Sequence, residues 1–263
     1  MSVSFLRSSS FALLLGLAAC NSAPPPRPPV NPDALWGLIQ RDCIGPDAPR
    51  GACLSVDAAP GRRDVLVKDS HGDYQYLLMP LDRVTGIESP ALLTAQAPNY
   101  FAAAWQARSL TEKALGQPLP RTVASLALNS AHGRSQHQLH IHVDCLRADV
   151  LAQLQAMDDA ITTQWQPLPQ PLRGHTYQAL RLEGLALTAN PLHLLAAGPA
   201  AAGDLGRWSL VVAGHGRDDR DPGFVLLATQ ADLEAGHQAS GEELQDHACA
   251  VLTGAADALD GVR

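Results

Sequence analysis

The alternation of side chains near the middle of the chain constrains its fold more than any other feature. From Gln136 to Leu146 polar and apolar residues largely alternate, which predicts a β-strand because successive strand side chains point to opposite faces. The apolar face, which must be buried, carries Leu139, Ile141 and Val143. The other face carries Gln138, His140, His142 and Asp144. Two imidazoles are therefore expected side by side, about 7 Å apart, on a stiff element.

The segment before this strand combines turn formers with hydrogen-bond donors. The strand predicted upstream ends at Asn129, and Gly133 lets the chain turn back toward the histidines. Such a return would bring Asn129, Arg134 and Ser135 close to His140. Backbone and hydroxyl donors together with a guanidinium suit phosphate oxygens, so this turn is a predicted phosphate contact.

Hydrophobic periodicity and turn residues predict the other elements. Helices are predicted over residues 33–42, 99–115, 149–165 and 231–253. Strands are predicted over residues 64–68, 74–79, 121–128, 175–182, 208–213 and 223–229, with the last two forming a hairpin. In the last helix, Ser240 and Glu243 have the spacing of a capping box. The mixture of elements and its hairpin-length connections indicate one α+β domain over residues 33–254, with a mainly antiparallel sheet and a tail 255–263.

The first twenty residues have the pattern of an export signal. Arg7 precedes an apolar run that ends in Leu17-Ala18-Ala19-Cys20, and this run is too short to span a bilayer. A cysteine after Leu-Ala-Ala resembles the lipobox of bacterial lipoproteins, in which the chain is cut before the cysteine and the thiol of Cys20 carries diacylglycerol. An ordinary cleaved signal and an uncleaved anchor are the alternatives. No later stretch reaches the roughly 18 apolar residues of a transmembrane helix.

The composition indicates a stalk after the export signal and a net negative charge. Residues 21–32 contain six prolines, and such a run is extended and stiff, so it is expected to be a stalk between lipid and domain. The net charge is -7 and there is no basic tract. Nucleic-acid binding is therefore not expected, and any phosphate must be bound by a few local groups.

The cysteine count indicates disulfides. With Cys20 as the lipid site, four cysteines remain, and an even number in an exported chain favours disulfides. Cys43 and Cys53 flank a Pro/Gly-rich turn and could close a short loop. Cys145 and Cys249 would then tie the histidine strand to the C-terminal helix. The other two pairings stay open, and the lack of a CxxC motif disfavours a structural zinc site.

Three interpretations of the histidine pair compete. In the first, the pair is structural and the chain is a non-catalytic exported lipoprotein that acts as a binding module. In the second, His140, His142 and Asp144 give two nitrogens and an oxygen to zinc in a metal-dependent phosphoesterase. In the third, a neutral imidazole attacks an α-phosphate and forms a nucleotidyl-histidine that water then hydrolyses, without any cofactor or metal.

The third interpretation is favoured by a resemblance to a superfamily. The run that starts at Asn129 and continues through Gly133-Arg134-Ser135 to Gln138-Leu139-His140-Ile141-His142-Val143 resembles the histidine-triad (HIT) pattern. The strand Tyr76-Leu77-Leu78-Met79-Pro80, followed by a long helix, matches the same layout. The resemblance implies a HIT-like fold, which the chain would extend by a strand-rich C-terminal half. HIT proteins are often dimers, and this half could replace a partner, so the oligomeric state stays open.

The HIT resemblance also implies roles for individual residues. His140 matches the nucleophile, and His142 matches the histidine that contacts the phosphate or the leaving group. Asn129 and Ser135 would hold oxygens. Gln138 replaces the first triad histidine and is expected to orient His140 through its amide, and Arg134 stands where many members have glutamine.

Other candidate groups are interpreted as structural. The large aromatics Phe101, Trp105 and Trp208 are expected in the core. The remaining histidines considered, His132, His137 and His175, are expected at the surface, although His175 could also line the site.

Motifs along the whole chain narrow the resemblance. These are Tyr76-Leu77-Leu78-Met79-Pro80, Gly86-Ile87-Glu88-Ser89-Pro90, Trp105-Gln106-Ala107-Arg108, His140-Ile141-His142, Leu172-Arg173-Gly174-His175 and Phe224-Val225-Leu226-Leu227-Ala228-Thr229-Gln230. Together they resemble bacterial CDP-diacylglycerol pyrophosphatases over most of residues 36–250. The resemblance implies hydrolysis of CDP-diacylglycerol to CMP and phosphatidate. It also implies a cell-membrane location, with a lipid or helix anchor and a catalytic domain that faces the periplasm.

Overall fold

The computed structural model describes residues 31–216 and 221–254. The predicted signal and lipobox segment 1–20 with Cys20, the stalk 21–32 apart from its last two residues, and the tail 255–263 lie outside these ranges. Among the described residues no helix has the length and apolar character needed to cross a bilayer.

The described residues form ten strands and five helices. The strands are β1 (Cys53–Asp57), β2 (Asp64–Lys68), β3 (Tyr76–Pro80), β4 (Ala124–Leu128), β5 (Ile141–Leu146), β6 (Gln166–Pro167), β7 (Gln178–Glu183), β8 (Trp208–His215), β9 (Gly223–Gln230) and β10 (Gln245–Asp246). The helices are α1 (Ala34–Leu38), continued by a π turn (Ile39–Cys43), α2 (Tyr100–Leu115), α3 (Ala148–Ala156), α4 (Pro191–Ala197) and α5 (Ala250–Thr253). Short 3₁₀ turns cover Pro90–Leu93, Asp158–Ala160, Leu205–Arg207 and Gly241–Leu244.

All ten strands join one antiparallel sheet in the order β1-β2-β3-β5-β4-β8-β9-β7-β6, with β10 paired to the end of β5. Two stretches of chain follow the same course: β3-α2-β4-β5 and β7-α4-β8-β9. They extend in mirrored order from the central β4–β8 pair. The predicted α+β fold with a mainly antiparallel sheet is confirmed, and the sheet consists of two topologically similar halves.

One face of the sheet is covered by α2 and α4. The main core there contains Phe101, Trp105, Ile141, Trp208 and Phe224, and Trp105 meets Phe224 edge to face at a centroid distance of 4.9 Å. The predicted burial of the large aromatics is therefore confirmed. Ile141 and Val143 point into this core, which turns His142 and Asp144 to the opposite face.

The opposite face carries two smaller apolar clusters. One joins β2 and β3 to the segment Ile39–Cys43, and the other joins α3 to β7, β8 and β9. The polar residues of β5 lie between them. His142 stands in register with Leu77 on β3 and Ala127 on β4, so it lies near the middle of a wide sheet with a paired strand on each side.

The predicted histidine strand is shorter than expected. It begins at Ile141 instead of Gln136, because the residues before it bond to the end of β3 and the loop that follows it, without pairing along a strand. The Leu139 N–H donates to the Val84 carbonyl at 2.6 Å, and the Gln138 amide donates to the Pro80 and Asp82 carbonyls. His140 is therefore the last residue before the strand. The strand predicted at 121 likewise begins later, at Ala124.

The long helix predicted over residues 231–253 is wrong. The chain instead forms a 3₁₀ turn, then β10, then the short α5. Ser240 makes no side-chain cap, and Glu243 accepts hydrogen bonds from His175 and Tyr177 on other segments. These long-range contacts override the local capping pattern. The helix predicted over 149–165 also stops early, at Ala156.

The described residues contain two disulfides, Cys43–Cys53 and Cys145–Cys249. Of the three pairings that the sequence allowed, this is the one in which Cys43 and Cys53 close a short loop. Cys249 directly precedes α5 and Cys145 lies within β5. The second bridge therefore fastens the C-terminal segment 241–249 to the strand that carries His142.

The two bridges should differ in their effect on stability. The Cys145–Cys249 bridge closes a sequence separation of 104 residues and the Cys43–Cys53 bridge one of 10. Loop-closure entropy then predicts that Cys145→Ala/Cys249→Ala lowers the free energy of unfolding by about 2 kcal/mol more than Cys43→Ala/Cys53→Ala. Urea unfolding of both variants measures this difference, and equal losses would contradict it.

Candidate active site

His140 is held by a single short hydrogen bond. Its Nδ1 lies 2.6 Å from the backbone carbonyl oxygen of Gln138. A carbonyl can only accept, so Nδ1 carries the proton and Nε2 keeps its lone pair. The ring is therefore fixed in the tautomer that a nucleophilic nitrogen needs.

The surroundings of His140 keep the ring neutral. Its side chain is buried, and the ring centroid of His142 is 4.8 Å away. Burial, and next the nearby His142, lower the pKa of His140 from 6.5 to about 4. At neutral pH the lone pair on Nε2 is therefore not lost to a proton.

His142 is oriented by Gln75. The amide nitrogen of Gln75 lies 3.0 Å from Nδ1 of His142. Because an amide N–H donates, Nδ1 is the acceptor, and in a neutral ring the proton is then on Nε2. That Nε2 is buried and makes no hydrogen bond among the described residues. Glu242 Oε1 lies 3.2 Å from it, but without the alignment of a hydrogen bond. His142 thus has a donor available for a ligand.

Glu242 faces the pair from the C-terminal segment. Asn129 Nδ2 donates to Glu242 Oε1 at 2.6 Å, and Asn129 Oδ1 accepts from the Gly241 N–H at 2.8 Å. Burial alone would raise the pKa of Glu242, but the facing His142 and the Asn129 amide outweigh it and lower that pKa. The site therefore holds an ionised carboxylate beside the two imidazoles.

Gly241 allows this close approach. A Cβ at Gly241 would lie 3.0 Å from Val211 Cγ2 and 3.3 Å from Ala127 Cβ. The 3₁₀ turn can therefore pack directly against the sheet, which places Glu242 beside His142.

Asp144 is committed to another partner. Its Oδ2 lies 2.6 Å from Nδ1 of His247, and its Oδ1 accepts from the Cys145 N–H at 2.8 Å. Burial alone would lower the pKa of His247, but the hydrogen bond and charge of Asp144 outweigh it and raise that pKa. Within residues 31–216 and 221–254, His140, His142 and Asp144 do not converge as a metal-binding group.

The predicted phosphate contacts of the turn are spread out. Asn129 lies under Glu242, as described above. Arg134 is 7% exposed and forms two hydrogen bonds with the Glu88 carboxylate, at 2.6 and 2.5 Å. Ser135 is exposed, and its side chain makes no hydrogen bond with another described residue. Asn129 thus contacts Glu242, which lies beside the histidine pair, whereas Arg134 is paired with Glu88.

Gln138 orients His140, but through its backbone. The side-chain amide donates to the carbonyls of Pro80 and Asp82, each at 3.0 Å. These bonds fix the position of the Gln138 peptide, whose carbonyl receives the His140 proton. Gln138 is thus a positioning residue that acts through the main chain.

Three residues of the site were not predicted from the sequence: Gln75, Glu242 and His247. Gln75 directly precedes β3, where the pattern showed only a turn that leads into a strand. Glu242 and His247 lie about 100 residues beyond the histidines in a segment predicted to be helical. The only signal in the sequence was the polar run Gly241-Glu242-Glu243-Leu244-Gln245-Asp246-His247.

Taken together, the buried groups are suited to covalent chemistry. A neutral imidazole offers a fixed lone pair, a second imidazole offers an N–H, and an ionised carboxylate lies beside them. This arrangement can attack an electrophile such as phosphorus and can move a proton afterwards.

Comparison with known proteins places the chain in a family. Residues 30–253 match the family model described as CDP-diacylglycerol pyrophosphatase. A protein of Yersinia pestis named CDP-diacylglycerol pyrophosphatase is 45% identical over 228 residues, which cover 84% of this chain and 86% of that protein.

The neutrality of His140 can be measured directly. In ¹⁵N NMR of histidine-labelled protein, His140 should stay neutral as the pH falls below 6.5 and should titrate near 4. The unfolded chain binds this proton first, so the histidine's contribution to stability is present above pH 6.5 and is lost as the pH falls toward 4. His142→Gln removes the neighbouring imidazole that lowers the pKa of His140, so it should raise that pKa. Titration of His140 at or above 6.5 in the wild type would contradict the account.

Proposed function

The chain belongs to the CDP-diacylglycerol pyrophosphatase family, and we propose that it cleaves its substrate through a covalent cytidylyl-histidine at His140. It is a hydrolase of CDP-diacylglycerol, which breaks the pyrophosphate bond and releases CMP and phosphatidate. The observation that carries the proposed mechanism is the hydrogen bond from His140 Nδ1 to the Gln138 carbonyl, because it leaves Nε2 free to attack.

In the first step, Nε2 of His140 attacks the phosphorus of the cytidylyl group. The new N–P bond forms as the bond from that phosphorus to the bridging oxygen breaks, and phosphatidate leaves with the electron pair. The Nε2–H of His142 lies close enough to donate to a phosphate oxygen or to the departing oxygen. A phosphate monoester is a good leaving group, so a single donor is sufficient.

In the second step, water attacks the same phosphorus and the N–P bond breaks. The water gives a proton to a base, CMP leaves, and His140 recovers its lone pair. Glu242 is the base that we assign to this step, because its carboxylate is ionised, lies 3.2 Å from His142 Nε2 and is held by Asn129. Asn129 therefore acts through Glu242 in this scheme.

The other predicted contacts take smaller parts in the proposal. Ser135 is exposed at the turn before His140 and could give a hydroxyl to a bound phosphate. Arg134 would have to leave Glu88 to reach one. A site of this kind binds a pyrophosphate with a few donors and without a broad positive field, which agrees with the net charge of -7.

The HIT-like relationship is also a proposal, supported by the repeat in the sheet. In the second half, β9 takes the position that β5 has in the first. On the face where β5 carries His142 and Asp144, β9 carries Val225 and Leu227. The second half therefore lacks a second histidine pair on β9, and it takes the place that a partner subunit would have in a HIT-like dimer.

Trapping the intermediate tests the nucleophile. CDP-diacylglycerol labelled at the cytidylyl phosphorus is mixed with full-length protein in detergent and EDTA, then quenched in base, where phosphohistidine survives. The wild type should carry label on His140 in tandem mass spectrometry. His140→Ala should carry none and should release CMP more than 1,000-fold more slowly, roughly the loss seen when a nucleophile is removed. His132→Ala, at an exposed position, is the matched control. Equal CMP release from wild type and His140→Ala would sink the assignment.

Glu242→Gln separates the two steps. The variant keeps the size of the side chain and an oxygen that can accept from Asn129, but it lacks the negative charge. Attack by His140 should continue while hydrolysis slows, so labelled protein should accumulate above the wild-type level and CMP release should fall about 10²–10⁴-fold. A variant that loses the adduct in proportion to its activity would instead place Glu242 in the first step.

Membrane attachment is proposed from the N-terminus alone. The lipobox-like Leu17-Ala18-Ala19-Cys20 and the proline-rich segment after it support a lipid anchor with the catalytic domain in the periplasm. A diacylglycerol substrate stays in the bilayer, so a tethered enzyme meets it at a high effective concentration.

The anchor proposal makes a separate prediction. Cells grown with an alkyne analogue of palmitate should label the wild type and not Cys20→Ser, and mass spectrometry should find the mature chain beginning at a modified Cys20. Cys43→Ser, outside the segment, is the control that keeps the label. An unlabelled wild type that stays in the membrane with residues 1–19 intact would show a retained helical anchor instead.

A further inference from the structure

A second cluster of potential ligands lies on the other side of the 3₁₀ turn that carries Glu242. One ring nitrogen each from His175 and His237, and one carboxylate oxygen of Glu243, all lie within 4.8 Å of one another. The three residues come from separate segments: a tight turn that closes between Leu172 and His175, a hairpin that closes between Asp232 and His237, and the 3₁₀ turn.

The neighbours of the cluster orient its groups. The Thr229 hydroxyl donates to the Thr176 carbonyl at 2.9 Å, so at its contact of 3.1 Å with His237 it accepts from Nε2–H. His237 therefore keeps the lone pair of Nδ1. Metal-bound histidines usually donate their other ring N–H in this way.

Glu243 and His175 are also held in place. The buried Tyr177 hydroxyl donates to Glu243 Oε1, and Nδ1 of His175 lies 3.0 Å from both carboxylate oxygens. The two imidazoles stack with their centroids 3.6 Å apart. Three potential ligand groups thus lie within 4.8 Å of one another, and none of them takes part in the proposed reaction.

We propose that His175, His237 and Glu243 bind a divalent transition-metal ion, best matched by Zn²⁺. Two imidazoles and one carboxylate are a common three-residue donor set for zinc, with water in the fourth position. Mg²⁺ and Ca²⁺ prefer oxygen ligands and match this set poorly. The side chain of His175 is 33% exposed, which gives the ion a way in from solvent.

The proposed ion has a positioning role. It joins three loops at a point next to Glu242, since Glu243 directly follows Glu242 in the 3₁₀ turn. Binding would therefore fasten this turn against the sheet and hold the carboxylate beside His142. No step of the cleavage passes through the ion, and the proposal stands whether or not His140 is the nucleophile.

Metal binding can be tested without an activity assay. Full-length protein is purified in detergent with a tag that contains no histidine, stripped with EDTA, and titrated with ZnCl₂ in a calorimeter. We expect one equivalent of Zn²⁺ on the wild type and on His132→Ala. His175→Ala and Glu243→Gln should each lose it, and MgCl₂ should give no binding. Co²⁺ should give visible absorption bands with the wild type, and these bands should be absent from His175→Ala and Glu243→Gln.

A folding control accompanies the titration. Circular dichroism of the stripped variants shows whether they fold, and Zn²⁺ should raise the Tm of the wild type but not of His175→Ala, because only a bound ion stabilises the folded state. Glu243→Gln preserves the acceptor for Tyr177, so it serves if His175→Ala does not fold. Two results would overturn the proposal: no saturable Zn²⁺ binding by the stripped wild type, or equal binding by wild type and folded variants.

Discussion

The hydrogen bond between His140 Nδ1 and the Gln138 carbonyl is the contact on which the site depends. Without it the lone pair of His140 could lie on either nitrogen, and the ring could turn. The bond exists because Gln138 lies three residues before the start of β5, outside the strand ladder, so that its carbonyl is free to point at the ring. The Gln138 side chain holds the chain in this position by bonding to the carbonyls of Pro80 and Asp82. A backbone oxygen thereby orients the proposed nucleophile, as a side chain would in a catalytic triad.

The C-terminal segment completes the site. It brings Glu242 to His142 and His247 to Asp144, and the Cys145–Cys249 bridge fastens it to β5. Burial and electrostatics then act in opposite directions on neighbouring groups. Burial, together with the neighbouring His142, keeps His140 neutral, whereas its histidine and asparagine partners keep Glu242 charged. A neutral imidazole and an ionised carboxylate can therefore lie side by side at the same pH.

The sequence predicted the features that depend on local pattern and missed those that depend on distant contacts. Helix α2 was found because its cap Asn99, its apolar spacing and Gly116 are all local. The face of the sheet that carries His142 followed from strand parity. The role of Gln138 could be predicted only in part, since the sequence does not tell which of its groups meets the ring. The helix predicted over 231–253 failed because Glu242 and Glu243 bond to residues more than 60 positions away. No periodicity encodes such contacts, and for the same reason Gln75 and His247 were not predicted.

The stereochemical course at phosphorus tests the central claim most directly. A CDP-diacylglycerol made chiral at the cytidylyl phosphorus with sulfur and an oxygen isotope would be cleaved in isotopically labelled water, and the configuration of the resulting thio-CMP determined by ³¹P NMR. Attack by His140 followed by attack of water comprises two inversions, so the account predicts net retention. Net inversion would show that water attacks the substrate directly, and it would contradict a cytidylyl-histidine intermediate.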